Sequence, residues 1–393
     1  MSKLERLIQQ YCPDGVEYVK LDSVANICRG TRVVKSQLSD KGYPVYQNCL
    51  TPMGYFERSN CNAGITFVIC GGAAGNVGYT DVECWAADDC EFIIGGHQVI
   101  NRYIYYYLMT KQNYLLSKVR KASIPRLSPS IIKDLEIPLP PLPVQEEIVR
   151  VLDTFTELQA ELQAELQKRK QQYNYYLDNL LNFNNINRGG YQAEVRWMKM
   201  SEVFEIRNGY TPSKAKKEFW EGGTIPWFRM EDIRQNGRIL SDSILHITPK
   251  GVKGKGLFKA NSFILATTAT IGEHALIIVN SLANQQFTNL SICKSLENEL
   301  SVKYVYYYFF VIDEWCKANT NVSNFASVDM SKFYNLLIPI PSIAEQQRIV
   351  AILDRFDTLT TDLAQGLPAE IEKRRQQYEY YRDKLLTFKR KGA

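Results

Sequence analysis

Two sets of residues carry the side-chain types that read nucleic acid. The first is Arg29, Thr31, Arg32, Lys35, Gln47 and Asn48, and the second is Arg207, Asn208, Tyr210, Thr211, Lys214 and Arg229, most of them beside predicted turns. Arginine and lysine donate to phosphates, the arginine fork fits guanine, and asparagine or glutamine pairs with adenine. The segment GVKGKGLFK adds Lys250, Lys253, Lys255 and Lys259 on glycine-rich backbone, a flexible phosphate contact. Every one of these residue types is also ordinary on a solvated surface, so they are candidates. Tyr105–Tyr107 and Tyr306–Tyr308 have faces on which bases stack, but their helical spacing beside apolar neighbours assigns them to core packing.

No set of residues for self-contained catalysis accompanies them. The adenine-methylating pattern, Asn or Asp followed by two prolines and an aromatic, is missing, since Leu139 precedes Pro140-Pro141. The three histidines, His97, His246 and His274, form no zinc-hydrolase pair. Near Asp14 and Glu17 a nuclease-type Glu-x-Lys requires lysine where Val19 stands, and Lys20 falls on the opposite face of a strand. The glycine cluster Gly71–Gly78 lacks the Lys-Ser/Thr of a phosphate loop and is followed by a strand-like run, so it reads as a tight turn. No metal-ligand spacing and no cofactor motif is present.

The elements that must position the candidates occur twice. The run VQEEIVRVLDTFTELQAELQAELQKRKQQYNYYLDNLLNF, Val144–Phe183, returns from Glu345 as EQQRIVAILDRFDTLTTDLAQGLPAEIEKRRQQYEYYRDKLLTF. A repeat with a period near half the chain organises everything else. In the first copy Ile148, Leu152, Phe155, Leu162, Leu166, Tyr173 and Leu180 sit at sums of three and four. In the second Ile349, Leu353, Phe356, Leu363, Tyr378 and Leu385 do the same. That spacing is a coiled-coil seam, and each copy is the expected partner of the other. The second copy carries a short insertion near Gln365–Pro368, where Gly366 and Pro368 predict a break and a restart.

Proline ramps, IPLPPLP at Ile137–Pro143 and IPIPSI at Ile338–Ile343, lead into the two helices. Ser342 with Glu345 predicts a capping box for the second. Before each ramp lies a globular segment, and the two share a faint frame: Val24, Ile27 and Gly30 match Val203, Ile206 and Gly209. The first segment predicts strands at Ile65–Cys70 and Glu91–Ile94 and a helix over Asn101–Leu116. The loops diverge, RGTRVVKSQ against RNGYTPSKAKK, as expected of one scaffold with two different ligands. The expected domains are 1–138, 139–187, 188–338 and 339–393, in an α+β chain with a pseudo-two-fold internal repeat.

At 393 residues, 45% hydrophobic and 23% charged, composition is that of a globular protein, and a net charge of +5 permits nucleic-acid binding without demanding it. No apolar run approaches the ~20 residues that span a membrane. The start MSKLERLIQQYCPDG lacks signal-peptide architecture. Nine cysteines, seven of them within Cys12–Cys90 and none in CxxC spacing, read as reduced thiols of a cytoplasmic protein.

The order globular unit, helix, globular unit, helix resembles the specificity subunit of a type I restriction-modification system. So do IPLPPLPVQEEIVRVLD, IPIPSIAEQQRIVAILDRFD and KRRQQYEYYRDKLLTF, together with IPWFRMEDI and RLSPSIIKDLEIPLPPL. The resemblance covers essentially the whole chain. It implies two target-recognition domains, each reading one half of a split double-stranded DNA target, with two long helices packed as an antiparallel coiled-coil spacer. It further implies that the helices dock two methyltransferase (modification) subunits, which methylate adenine, and that restriction subunits (translocase and nuclease) can join. A coiled-coil protein-interaction scaffold with two binding heads and no DNA role is the alternative.

Overall fold

The computed structural model describes residues 2–183, 195–254, 256–321, 326–361 and 365–392. It divides into two compact units, Met1–Glu165 with Ala369–Ala393, and Leu166–Pro368. Lys255, Leu363 and the linker after Phe183 lie outside the described residues.

The first unit is built on a four-stranded antiparallel sheet, in the order Ala25–Arg29, Cys90–Gly95, Ile65–Ile69, Val77–Thr80. A small three-stranded sheet joins Tyr55–Phe56, Tyr43–Tyr46 and Trp85–Ala86. The strand Ile65–Ile69 is buried along its whole length, which explains its unbroken apolar run. The glycine cluster turns the chain from that strand into Val77–Thr80, with Gly72 and Gly75 at positive φ. The helix expected over Asn101–Leu116 is two helices, Asn101–Thr110 and Gln112–Ser117, parted at Lys111.

The second unit repeats this frame and adds a strand. Its sheet runs Phe204–Asn208, Phe287–Ile292, Ser262–Ala266, His274–Ile277, Ile239–Leu240, the last pair parallel. The helix Val302–Ala318 lies where Asn101–Thr110 lies in the first unit. The tyrosine runs are core, as their spacing predicts. Tyr103 donates to the Pro138 carbonyl at 3.0 Å and Tyr304 to that of Pro339 at 3.1 Å. Tyr106 and Tyr307 donate to Asp153 and Asp354 of the long helices. Each ring thus buries its body in the core while its hydroxyl is satisfied.

The proline ramps are less simple than extended leads. Glu136–Pro138 pairs antiparallel with Tyr18–Lys20, and Leu337–Ile340 with Arg196–Lys199, so each ramp begins as a strand. The helix then starts at Leu142, ahead of Val144, and runs unbroken to Leu181. Its second copy does break, into Ile343–Thr361 and Leu367–Leu385. The capping box is half formed. The Glu345 N–H donates to Ser342 Oγ at 3.3 Å, but the Glu345 carboxylate turns to Arg348 at 2.6 and 2.7 Å.

The helical stripe needs a correction. Ile148 and Leu152 are fully buried in the core of the first unit among Tyr103, Tyr106 and Leu108, and Ile349 and Leu353 occupy the same place in the second. The short ramp drops each helix onto its own globular unit, so the first turns of the stripe pack into that core. Aromatic side chains of the two long helices also meet. Phe155 stacks on Tyr381 with centroids 5.5 Å apart, and Phe356 meets Tyr176 at 5.1 Å and Tyr173 at 6.4 Å. The first of these contacts lies within the unit of Met1–Glu165 with Ala369–Ala393, and the other two lie within Leu166–Pro368. Tyr378 and Leu385 pack against the first core and Leu180 against the second, while Leu162 and Leu166 are half-buried.

Candidate nucleic-acid interface

In the second unit Arg207, Asn208, Tyr210, Thr211 and Lys253 line one cleft of about 490 Å³. Two of the five are committed to building it. The Arg207 guanidinium donates to the carbonyls of Gly256 at 2.7 Å and Leu257 at 3.2 Å, and lies 5.2 Å from the Phe258 ring. Tyr210 Oη donates to the Gly251 carbonyl at 3.3 Å and accepts from the Lys253 N–H at 2.6 Å. Together they fasten the lysine loop. Asn208 Oδ1 accepts from Thr288 Oγ1 at 3.1 Å, and Thr211 Oγ1 donates to Gln285 Oε1 at 2.5 Å.

Lys214, Arg229 and Lys250 do not line that cleft. Lys250 pairs with Glu218 at 3.1 Å. The Arg229 side chain is 27% exposed and 3.8 Å from Glu231, while its N–H donates to Asp232 at 2.7 Å at the start of a short helix. Exposed Lys214 and Lys253 have no side-chain partner among the described residues and remain open to phosphate.

In the first unit a cleft of about 390 Å³ opens at the corresponding end of the sheet, and of the predicted residues only Arg29 lines it. Arg29 Nε donates to the Asp88 carbonyl at 2.9 Å. The Thr31 N–H donates to Ala86 at 2.9 Å, and the Thr31 carbonyl accepts from Trp85 Nε1 at 2.8 Å. Asn48 abuts Gly72 and accepts from the Ala73 N–H at 2.8 Å. Arg32 and Lys35 are exposed and Gln47 is half-buried. Sequence reasoning missed Asp88, Asp89, Glu91 and Arg126 here, and Gln285 and Gln286 in the second unit. The signal was available in the repeat, since WAADDC and LANQQF occupy matching positions between matching strands.

The described residues contain no group of His, Cys, Asp and Glu suited to a metal, and none of their helices is long and apolar enough to cross a membrane. All nine cysteines are free. The arrangement offers two donor- and acceptor-lined clefts on a repeated frame.

The family described as type I restriction modification DNA specificity domain matches twice, over residues 13–190 and 192–373. The chain belongs to this family. As a type I specificity subunit it is similar to the Escherichia coli EcoprrI specificity subunit, 54% identical over 204 residues that make up 50% of this chain and 51% of that one. It is 40% identical over 308 residues to the Escherichia coli EcoR124I/EcoR124II specificity subunit, covering 74% of this chain and 72% of the relative. In fold it resembles the crystal structure of the S subunit from M. genitalium, with a TM-score of 0.59 at 16% identity over 95% of this chain and 96% of that one. It is thus the DNA specificity subunit of a type I restriction-modification system.

Proposed function

We propose that residues 1–138 and 188–338 are independent readers, each recognising one half of a split duplex target. Residues 139–187 and 339–393 separate them and dock two methyltransferase subunits, with restriction subunits joining the same assembly in the cytoplasm. The observation that carries this reading is the repeated sheet whose matching ends bear clefts lined by different polar side chains. A protein-binding scaffold explains the repeat but not two differently charged polar clefts. Duplex DNA titrated at two salt concentrations, with the methyltransferase partner present, tests the choice. Binding is expected to weaken steeply with salt, because phosphate neutralisation releases counterions. Salt-independent or absent binding would favour the scaffold.

Replacing Tyr191–Leu337 with the corresponding segment of another family member is expected to change one half-site and leave the other. Methylation shifted at both halves would show that the readers are not independent. The chain purified without partners is expected neither to methylate nor to cut DNA, since it carries no residue set for either reaction. Labelled methyl incorporated into DNA by the isolated chain would overturn this.

A further inference from the structure

The two sheets can be compared position by position at the cleft. Arg29 ends its strand and lies opposite Glu91, and Asn208 ends the matching strand and lies opposite Thr288. Asp88 and Asp89 precede one central strand where Gln285 and Gln286 precede the other. In the second unit this set is neutral and internally satisfied. Thr288 reaches Asn208 at 3.1 Å and Thr267 at 3.0 Å, and Asn284 donates to Gln286 at 3.2 Å.

In the first unit the set is charged and short of donors. Glu91 is 4% exposed and lines the cleft, yet no donor among the described residues reaches its carboxylate. Its strand neighbour Arg29 is turned away to the Asp88 carbonyl, and Arg126 is taken by Asp89 at 3.1 Å. Asp88 Oδ1 is buried without a donor, whereas the Glu91 oxygens face the open side of the cleft. Burial pushes the Glu91 carboxyl up, against the pull of Lys133 and Arg29. A carboxylate on a cleft wall with no protein donor is open to a ligand that brings one, and such a ligand can also reach the unpaired Asp88 oxygen beside it.

The surroundings restrict the donor. Arg29, Lys118, Arg120 and Arg126 all line the cleft and disfavour a lysine or arginine side chain from a partner protein. They suit a donor carried on an anionic backbone. Among base edges, the cytosine N4 amine is the one that Glu and Asp accept from.

Building on the reading of the chain as a DNA specificity subunit, we propose that the Glu91 cleft takes the N4 amine of a cytosine, so that the half-site read by the first unit contains an obligatory C·G pair. Glu91 is the specificity determinant, and the exposed Lys118 and Arg120 on the same cleft hold the flanking phosphates.

The test uses the full chain assembled with its methyltransferase partner. Methylome sequencing of cells carrying Glu91→Gln is expected to show relaxed choice at one C·G position in one half-site, with about ten-fold less preference there and the other half-site intact. An unchanged motif at undiminished methylation overturns the proposal, as does a wild-type half-site from the first unit that lacks a C·G pair. Competition binding covers the case in which the variant fails to assemble. Duplexes in which the cytosine is replaced by an analogue lacking the N4 amine should bind the wild-type complex about ten-fold more weakly. Equal binding of both duplexes overturns the proposal without a variant. A wild-type complex that methylates no split motif and binds DNA without salt dependence fails the underlying reading instead, and so is distinguishable.

Discussion

A third LQAE copy inserted after Glu165 is expected to keep both half-sites and widen the unread gap between them by about one to two base pairs. Leu158–Glu161 and Leu162–Glu165 are tandem copies of this unit, inside a helix that runs unbroken from Leu142 to Leu181. Four residues add about 6 Å at ~1.5 Å each. They also rotate the remainder of the helix by about 40°, a stutter that local unwinding absorbs. DNA rises about 3.4 Å per base pair, from ~34 Å per turn, which sets the size of the shift. The matching insertion in the second copy need not lengthen anything, because the helix stops at Thr361 and restarts at Leu367. The original target should lose about ten-fold or more in the insertion variant, since each mismatched pair costs ~1–3 kcal/mol. Deleting one copy should narrow the gap or abolish methylation. Methylome sequencing that returned the original gap at undiminished activity would show that this helix is not the ruler.

The largest stability effect is expected at two buried glutamines. Gln145 is fully buried. Its Nε2 donates to the carbonyls of Gln98 at 2.9 Å and Pro140 at 2.7 Å, and its Oε1 accepts from the Ile100 N–H at 3.0 Å. Gln346 repeats the arrangement in the second unit, donating to Glu299 and Pro341 at 2.8 Å each and accepting from the Ser301 N–H at 2.8 Å. One amide thereby ties the long helix, the proline ramp and the start of the tyrosine helix together. Gln145→Ala or Gln346→Ala leaves two carbonyls and one N–H without partners, at about 1–3 kcal/mol each. A loss of roughly 3 kcal/mol or more is expected for each, read as a lower urea midpoint at unchanged slope. A loss below about 1 kcal/mol would mean that water replaces the amide at little cost.

Local pattern and repetition determined the architecture. The stripe of Ile148, Leu152 and Phe155, its return at Ile349, Leu353 and Phe356, and the break at Gly366 and Pro368 are all set by residues within a few turns of one another. Helical spacing likewise placed the tyrosines in the core, because periodicity decides which face an element buries. Tertiary structure alone decided the partners. It put the first turns of each long helix on a globular unit, because a ramp strand of fixed length delivers them there. Arg207 became an anchor for the lysine loop through carbonyls that are distant in sequence. Glu91 looks like an ordinary strand residue in CEFIIG, and nothing local marks it as buried or short of donors. That depends on Arg29 and Arg126 turning to Asp88 and Asp89 across the cleft. Periodicity records which way a side chain points, whereas hydrogen-bond satisfaction depends on every donor that the fold brings near it.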